Sequence, residues 1–186
     1  MRFTAMVACV LFLTVVLCVP RLEAEPLKVI AGTSLIEDIV KDLTEGQGKI
    51  LTLTQGSSCP GHENIKTGDF VFAAEADILL LHSFQRHIPQ VTAMLEAVAN
   101  KNLRVVFLET SGSWLIPKNQ REASRAVSGA LMEAFPKQAS FISDRLEARL
   151  ARIDALEKEW LAILAPVQGK GVLVAGMQAE FVVWAG

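Results

Sequence analysis

Cys59 and His62 stand three positions apart in Gly-Ser-Ser-Cys-Pro-Gly-His-Glu-Asn-Ile-Lys-Thr-Gly-Asp-Phe, residues 56–70, and no other cysteine of the chain is so placed beside a histidine. A thiolate and an imidazole are soft to borderline donors that suit Zn2+, and Gly61 lets the backbone bring both inward. Two donors hold an ion weakly, so a metal centre needs others. His82 is the foremost addition, because it falls at the carboxyl end of an expected strand, where open α/β sheets bind their ligands. His87 follows five residues on, and Glu63 and Glu109 offer oxygen at similar strand ends. Met177 carries a thioether, although a buried methionine usually only packs. Plainer readings stand beside these. His82 also fits a hydrogen-bonded loop histidine, His87 a surface or capping residue, and the Cys59–His62 segment a turn. Thiol catalysis, with Cys59 as nucleophile and His62 or His82 as base, would further need an oxyanion hole and an orienting group. No motif supplies them, so the chain is not expected to be an enzyme.

The elements that would carry these residues alternate. Apolar runs at 27–31, 50–53, 77–81 and 103–108 read as strands, and Asp77–Leu81 is nearly all apolar, as a parallel strand covered on both faces is. Between them lie helical patterns at 35–43, from Thr67 or Asp69 onward, and at 88–99. Alternation of this kind argues for an α/β lobe with a parallel sheet flanked by helices. Pro117 then opens a helix to about Ala134, Pro136 breaks it, and a long helix runs from Gln138 to about Leu164. Ile142, Leu146, Leu150, Ile153, Leu156 and Trp160 form its apolar stripe. Trp160 is expected in the core, and the charged residues from Asp144 to Glu159 on a solvated face with i,i+4 pairs. Trp114 is expected in a loop beside the cleft. Gly171–Ala175 reads as the first strand of a new sheet. The divisions are therefore 1–24, a signal peptide; 25–135, an N-terminal α/β lobe; 136–168, a long connecting helix; and 169–186, the start of a second α/β lobe.

Composition narrows the partners. A net charge of −2 with no Lys/Arg cluster leaves no footprint for nucleic acid. Met1-Arg2, an apolar run from Ala5 to Val19 and Leu22-Glu23-Ala24 have the layout of a secretory signal, with cleavage expected near Ala24. The run is short for a bilayer, which needs about 20 residues, so no stable membrane span is expected after cleavage. Cys9 and Cys18 leave with the signal, so Cys59 becomes a lone thiol with no disulfide partner in its own chain. Mean hydropathy of +0.35 is raised by the same segment.

The order of pieces resembles the metal-binding substrate-binding proteins of bacterial ABC importers. Pro60-Gly61-His62, Asp69 and Ala76-Asp77 match, in order, that family's Pro-His loop, the Asp after it and the Ala-Asp before a strand. The resemblance runs from Leu27 to the end of the chain. It implies two lobes joined by a long helix, a periplasmic location, and capture of a metal ion between the lobes for delivery to a permease. The ion would be Zn2+ first, with Mn2+ or Fe2+ as alternatives. The pattern also departs. Gly61 separates Pro60 from His62, Gly112 stands where the family's second histidine belongs, and Gly176-Met177 where its third does. The fourth ligand of the family, acidic and late in the second lobe, has no counterpart here. His62 alone is retained, and Cys59 is the residue that would make up for one loss. A truncated or partner-dependent lobe of such a protein is the alternative.

Overall fold

A computed structural model describes residues 26–56, 65–109, 112–174 and 176–186. The expected signal peptide, Cys59, His62 and Glu63 lie outside the described residues, as does the Met177 side chain.

The first strand, β1 (Lys28–Thr33), passes directly into helix α1 (Ser34–Thr44), and β2 (Lys49–Thr54) follows. Next come α2 (Thr67–Glu75), β3 (Ile78–His82), a 3-10 turn (Ser83–His87), α3 (Pro89–Ala97) and β4 (Arg104–Leu108). Two longer helices, α4 (Pro117–Ala134) and α5 (Ala139–Leu164), precede a short last helix, α6 (Ala179–Ala185). The strands form one parallel sheet in the order β2-β1-β3-β4. The two central strands alternate their side chains between two cores, as a period of two demands. Val29, Ala31, Ile78 and Leu80 face α1, α4 and α5, against Ile36, Ile39, Leu43, Val127, Leu131 and Ile142. Ile30, Leu79 and Leu81 face the other way, onto Ala73 of α2 and Val91 and Met94 of α3. The expected α/β lobe with a helix-flanked parallel sheet is the observed fold.

Local chemistry sets the joints. Thr33 caps α1 by accepting the Ile36 amide at 3.5 Å, so one residue is both the last of β1 and the helix cap. Pro89 and Pro117 open α3 and α4 at positions where no amide hydrogen is needed. The end of α1 is closed by Glu45, in a left-handed conformation at φ 50°, one residue before Gly46.

Helix α5 corrects two expectations. Its arginines do not form a solvated face: Arg149 is 6% exposed and reaches Asp42 at 2.7 Å and Asp38 at 2.9 Å on α1, with Nε donating to Ser124 of α4 at 3.0 Å. Arg152 also bonds Asp42, Arg145 pairs with Glu45 at 2.9 Å, and Arg121 of α4 grips Asp154 and Glu157 at 2.9 and 2.7 Å. These pairs cross between helices because α5 lies against α1 and α4, which brings its charged flank onto theirs. Trp160, expected in the core, is 45% exposed, as is Leu156. At 26 residues the helix is about 39 Å long and outruns the lobe it leans on, so only its first half, with Ile142 and Leu150, is buried. Residues 171–174 form no strand with any of the described residues, and Leu173 is fully exposed. Among the described residues, no helix is long and apolar enough to cross a membrane.

Burial pushes the Asp42 carboxyl up, but the Arg149 hydrogen bond and the Arg152 and Arg149 charges outweigh it, and the net pKa is lowered. A carboxylate depressed in this way stabilises the fold above its unfolded value of about 4, and the contribution is lost as pH falls further. Replacing Arg149 by Ala should cost about 3 kcal/mol in urea unfolding at neutral pH, because it removes the pairing of a buried charge cluster. Arg149→Met should also make the stability fall less steeply below about pH 4 than in the wild type. A loss under about 1 kcal/mol for Arg149→Ala would show that the cluster is peripheral.

Candidate functional site

Adjacent parallel strands deliver their last residues side by side. Thr33 ends β1 and His82 ends β3, and Thr33 Oγ1 shares a hydrogen bond of 2.8 Å with His82 Nε2. The imidazole lies between two rings, Trp114 at 4.2 Å between centroids and Phe84 at 5.2 Å. Its backbone is held as firmly. The fully buried Gln85 accepts the His82 amide at 3.1 Å through Oε1 and donates through Nε2 to the Gly32 carbonyl at 3.0 Å. That bridge requires glycine at 32, where a Cβ would stand 2.2 Å from Gln85 Oε1. His82 and Gln85 also form a capping box at the head of the 3-10 turn.

His82 is 8% exposed, and burial alone lowers its pKa to about 4. At neutral pH the ring is therefore uncharged, which is the form that ligates metals and accepts hydrogen bonds. The plainer reading of a hydrogen-bonded histidine describes its present partners, while its place at a strand end is the one expected of a ligand.

A cleft of about 680 Å³ opens over these strand ends. One side is lined by Thr33, Ser34 and Leu35, another by His82 and Phe84, and another by residues 112–115. Gln55 and Gly56, which follow β2, also line it. Trp114 sits beside the cleft as expected, yet it is 5% exposed and belongs to the core on the α1 side of the sheet. His87 is exposed and outside the cleft lining, and Glu109 is also outside it, paired with Arg86 at 2.9 Å. Among the described residues, no three His, Cys, Asp or Glu side chains gather around one point. A smaller hollow of about 300 Å³ lies between α1, α4 and α5, but its charged walls, Asp38, Arg149 and Glu157, are already engaged in ion pairs.

Two cleft residues escaped the sequence. Thr33 is legible as a helix cap, but its contact with His82 follows from strand register, which no local pattern encodes. Glu180 reaches the cleft from α6, and its carboxylate accepts the Ser113 amide at 2.6 Å. Nothing near it in sequence signals that role.

The depressed His82 pKa has a definite sign in stability. The unfolded chain takes up this proton near pH 6.5 and the folded chain only near 4, so the metal-free protein should be fully stable above about 6.5 and weaken as pH falls toward 4. The difference at pH 4 amounts to on the order of 3 kcal/mol. His82→Phe should flatten that part of the melting-temperature profile. A His82 ring-proton resonance, assigned by comparison with His82→Phe, that titrates near 6.5 in the folded protein would contradict this burial.

A family model described as zinc-uptake complex component A, periplasmic, matches residues 29–180. A search of curated proteins finds no match. Among solved structures, the chain is similar to a zinc-bound ZnuA lacking residues 138–173 of its own numbering, with a TM-score of 0.72 and 19% identity, covering 87% of this chain and 67% of that one. It is also similar to Zn(II)-bound AdcA from Streptococcus pneumoniae, with a TM-score of 0.70 and 12% identity over 87% of this chain and 38% of that one. A third is the Cd-bound periplasmic metal binding protein from candidatus liberibacter asiaticus, with a TM-score of 0.69 and 14% identity over 84% and 65%. At these identities the likeness is one of fold, and the chain spans between about two fifths and two thirds of the length of these three proteins. The match over residues 29–180 takes in the whole lobe, the long helix and the first residues of α6, and by it the chain belongs to the periplasmic zinc-uptake component A family.

Proposed function

We propose that this protein captures a transition-metal ion outside the inner membrane and hands it to the permease of an ABC importer. Zinc is the first choice of ion, with Mn2+ or Fe2+ as alternatives. The observation that carries the reading is the cleft over the strand ends, with a neutral, oriented imidazole in its wall. Family membership and the zinc-bound neighbours favour the same ion.

In this reading His62, Cys59 and His82 supply the ligands, and Glu63 is the oxygen donor nearest to them in sequence. His82 joins by exchanging Thr33 for the ion at Nε2. The lost hydrogen bond costs about 1 kcal/mol, and Thr33 meanwhile keeps the ring orientation defined. His87 and Glu109 lie outside the cleft lining, which ranks them below the other three. The protein works as a binder and not as an enzyme, after export through a signal peptide cut near Ala24. Residues 25–135 act as one lobe, 136–168 as the brace and 169–186 as the opening of a second lobe. The brace is supported by the ion pairs of α5 on α1 and α4.

A second reading has its own support. Trp160, Val172, Leu173 and Val183 leave apolar surface exposed on and after the long helix. Such surface suits a lobe that functions only with a partner supplying the other wall of the cleft.

Calorimetric titration of the purified, metal-free chain tests the proposal. Zn2+ should bind and raise the melting temperature, the stabilisation reaching about 2.7 kcal/mol at one hundred times the dissociation constant. Cys59→Ser, His62→Ala and His82→Ala should each weaken Zn2+ about tenfold or more. If neither Zn2+ nor Mn2+ binds or shifts the melting temperature, metal capture is wrong.

A further inference from the structure

Along α5 the lining of the hollow between α1, α4 and α5 passes from Arg149 and Arg152 to Ile153, Leu156 and Trp160, so this cavity has a polar end and an apolar one. Its volume of about 300 Å³ falls at the lower limit of small-molecule sites, which span about 300–1,000 Å³. Among the described residues it shares only Leu115 with the cleft. The polar end is where a ladder of charges runs out. Helices α1 and α5 pair antiparallel, Arg145 with Glu45 and Arg149 with Asp42 and Asp38. One turn on, Arg152 comes level with Asp38, yet it turns back to Asp42 while Asp38 takes Arg149. Among the described residues Asp38 bonds through Oδ2 alone and Arg152 through Nη2 alone. Their side chains are 71% and 52% exposed, so the existing pairs leave both groups open to a further partner.

We propose that this hollow is a second binding site of the protein, for a hydrophobic α-amino acid held as its zwitterion. The α-carboxylate takes the unused donors of the Arg152 guanidinium, which carries five in a fixed plane and spends one on Asp42. The α-ammonium takes Asp38 Oδ1. The side chain lies against the half-exposed Trp160 ring, with Leu156 and Ile153 beside it. Charge decides the class of ligand. Two acidic residues, Asp38 and Glu157, face two basic ones, Arg149 and Arg152, across the same space. A simple anion or cation meets a like charge there, whereas a molecule carrying both signs does not. The site stands apart from metal capture and gives the exposed Trp160 ring something to bind.

Calorimetric titration of the purified chain with L-phenylalanine tests the proposal. Binding should saturate at one site and shift the emission of Trp160, a signal that disappears in Trp160→Phe. 2-Phenylethylamine lacks the carboxylate and 3-phenylpropionate lacks the ammonium, and each should bind at least about tenfold more weakly. Both comparisons use the wild type, so they do not depend on how a variant folds. Arg152→Gln should weaken phenylalanine and phenylpropionate by a similar factor and leave the amine unchanged. A wild type that binds no phenylalanine, or binds it no better than the two half-ligands, overturns the proposal. So does phenylalanine binding that Arg152→Gln fails to weaken.

Discussion

Parallel pairing of β1 with β3 is the constraint on which the rest of this molecule depends. The register Val29↔Ile78, Ile30↔Leu79 and Ala31↔Leu80 buries both strands on both faces and ends them at the same level. Polar residues can then appear only where the apolar run stops, and there Thr33 and His82 meet. The two strands leave the sheet differently, β1 straight into a helix capped by Thr33 and β3 into a tight 3-10 turn. This divergence opens the cleft between them, as expected at the carboxyl edge of an open parallel sheet.

Much of this arrangement is legible in the sequence, and the reasons differ by element. Ile78–Leu81 can be read as a buried strand because an unbroken apolar run of that length has no other comfortable place. The long helix is visible from Gln138 to Leu164 because its stripe repeats at 3.6 residues and proline marks both ends. What the stripe cannot show is how far a neighbour extends beside it, so Trp160 looks like core in sequence and is half exposed in the fold. The charges of α5 mislead for a related reason. An arginine looks the same in sequence whether it serves its own helix or the next one, and Arg149 serves α1 and α4.

Recognition of the site divides the same way. His82 could be placed at a strand end by counting, and the described cleft includes it. Thr33 and Glu180 could not, because one depends on register and the other on a chain that returns from 67 residues away. Residues 171–174 show the converse failure. Val-Leu-Val has strong strand propensity, but propensity expresses how well a side chain fits a sheet surface, and among the described residues no strand lies alongside to provide one.

The bridge from Gly32 through Gln85 to the His82 amide also shapes how this protein can change by mutation. A larger residue at 32 collides with the glutamine, and a smaller residue at 85 removes the groups that hold both the Gly32 carbonyl and the histidine backbone. A shorter residue at 85 would relieve the clash at 32 but would still leave the amide of His82 without its buried acceptor. The two positions, 53 residues apart, are therefore strongly epistatic. Substitutions at exposed rim positions such as Leu35 or Leu115 meet no such constraint, while the floor beneath the histidine is closed to stepwise drift.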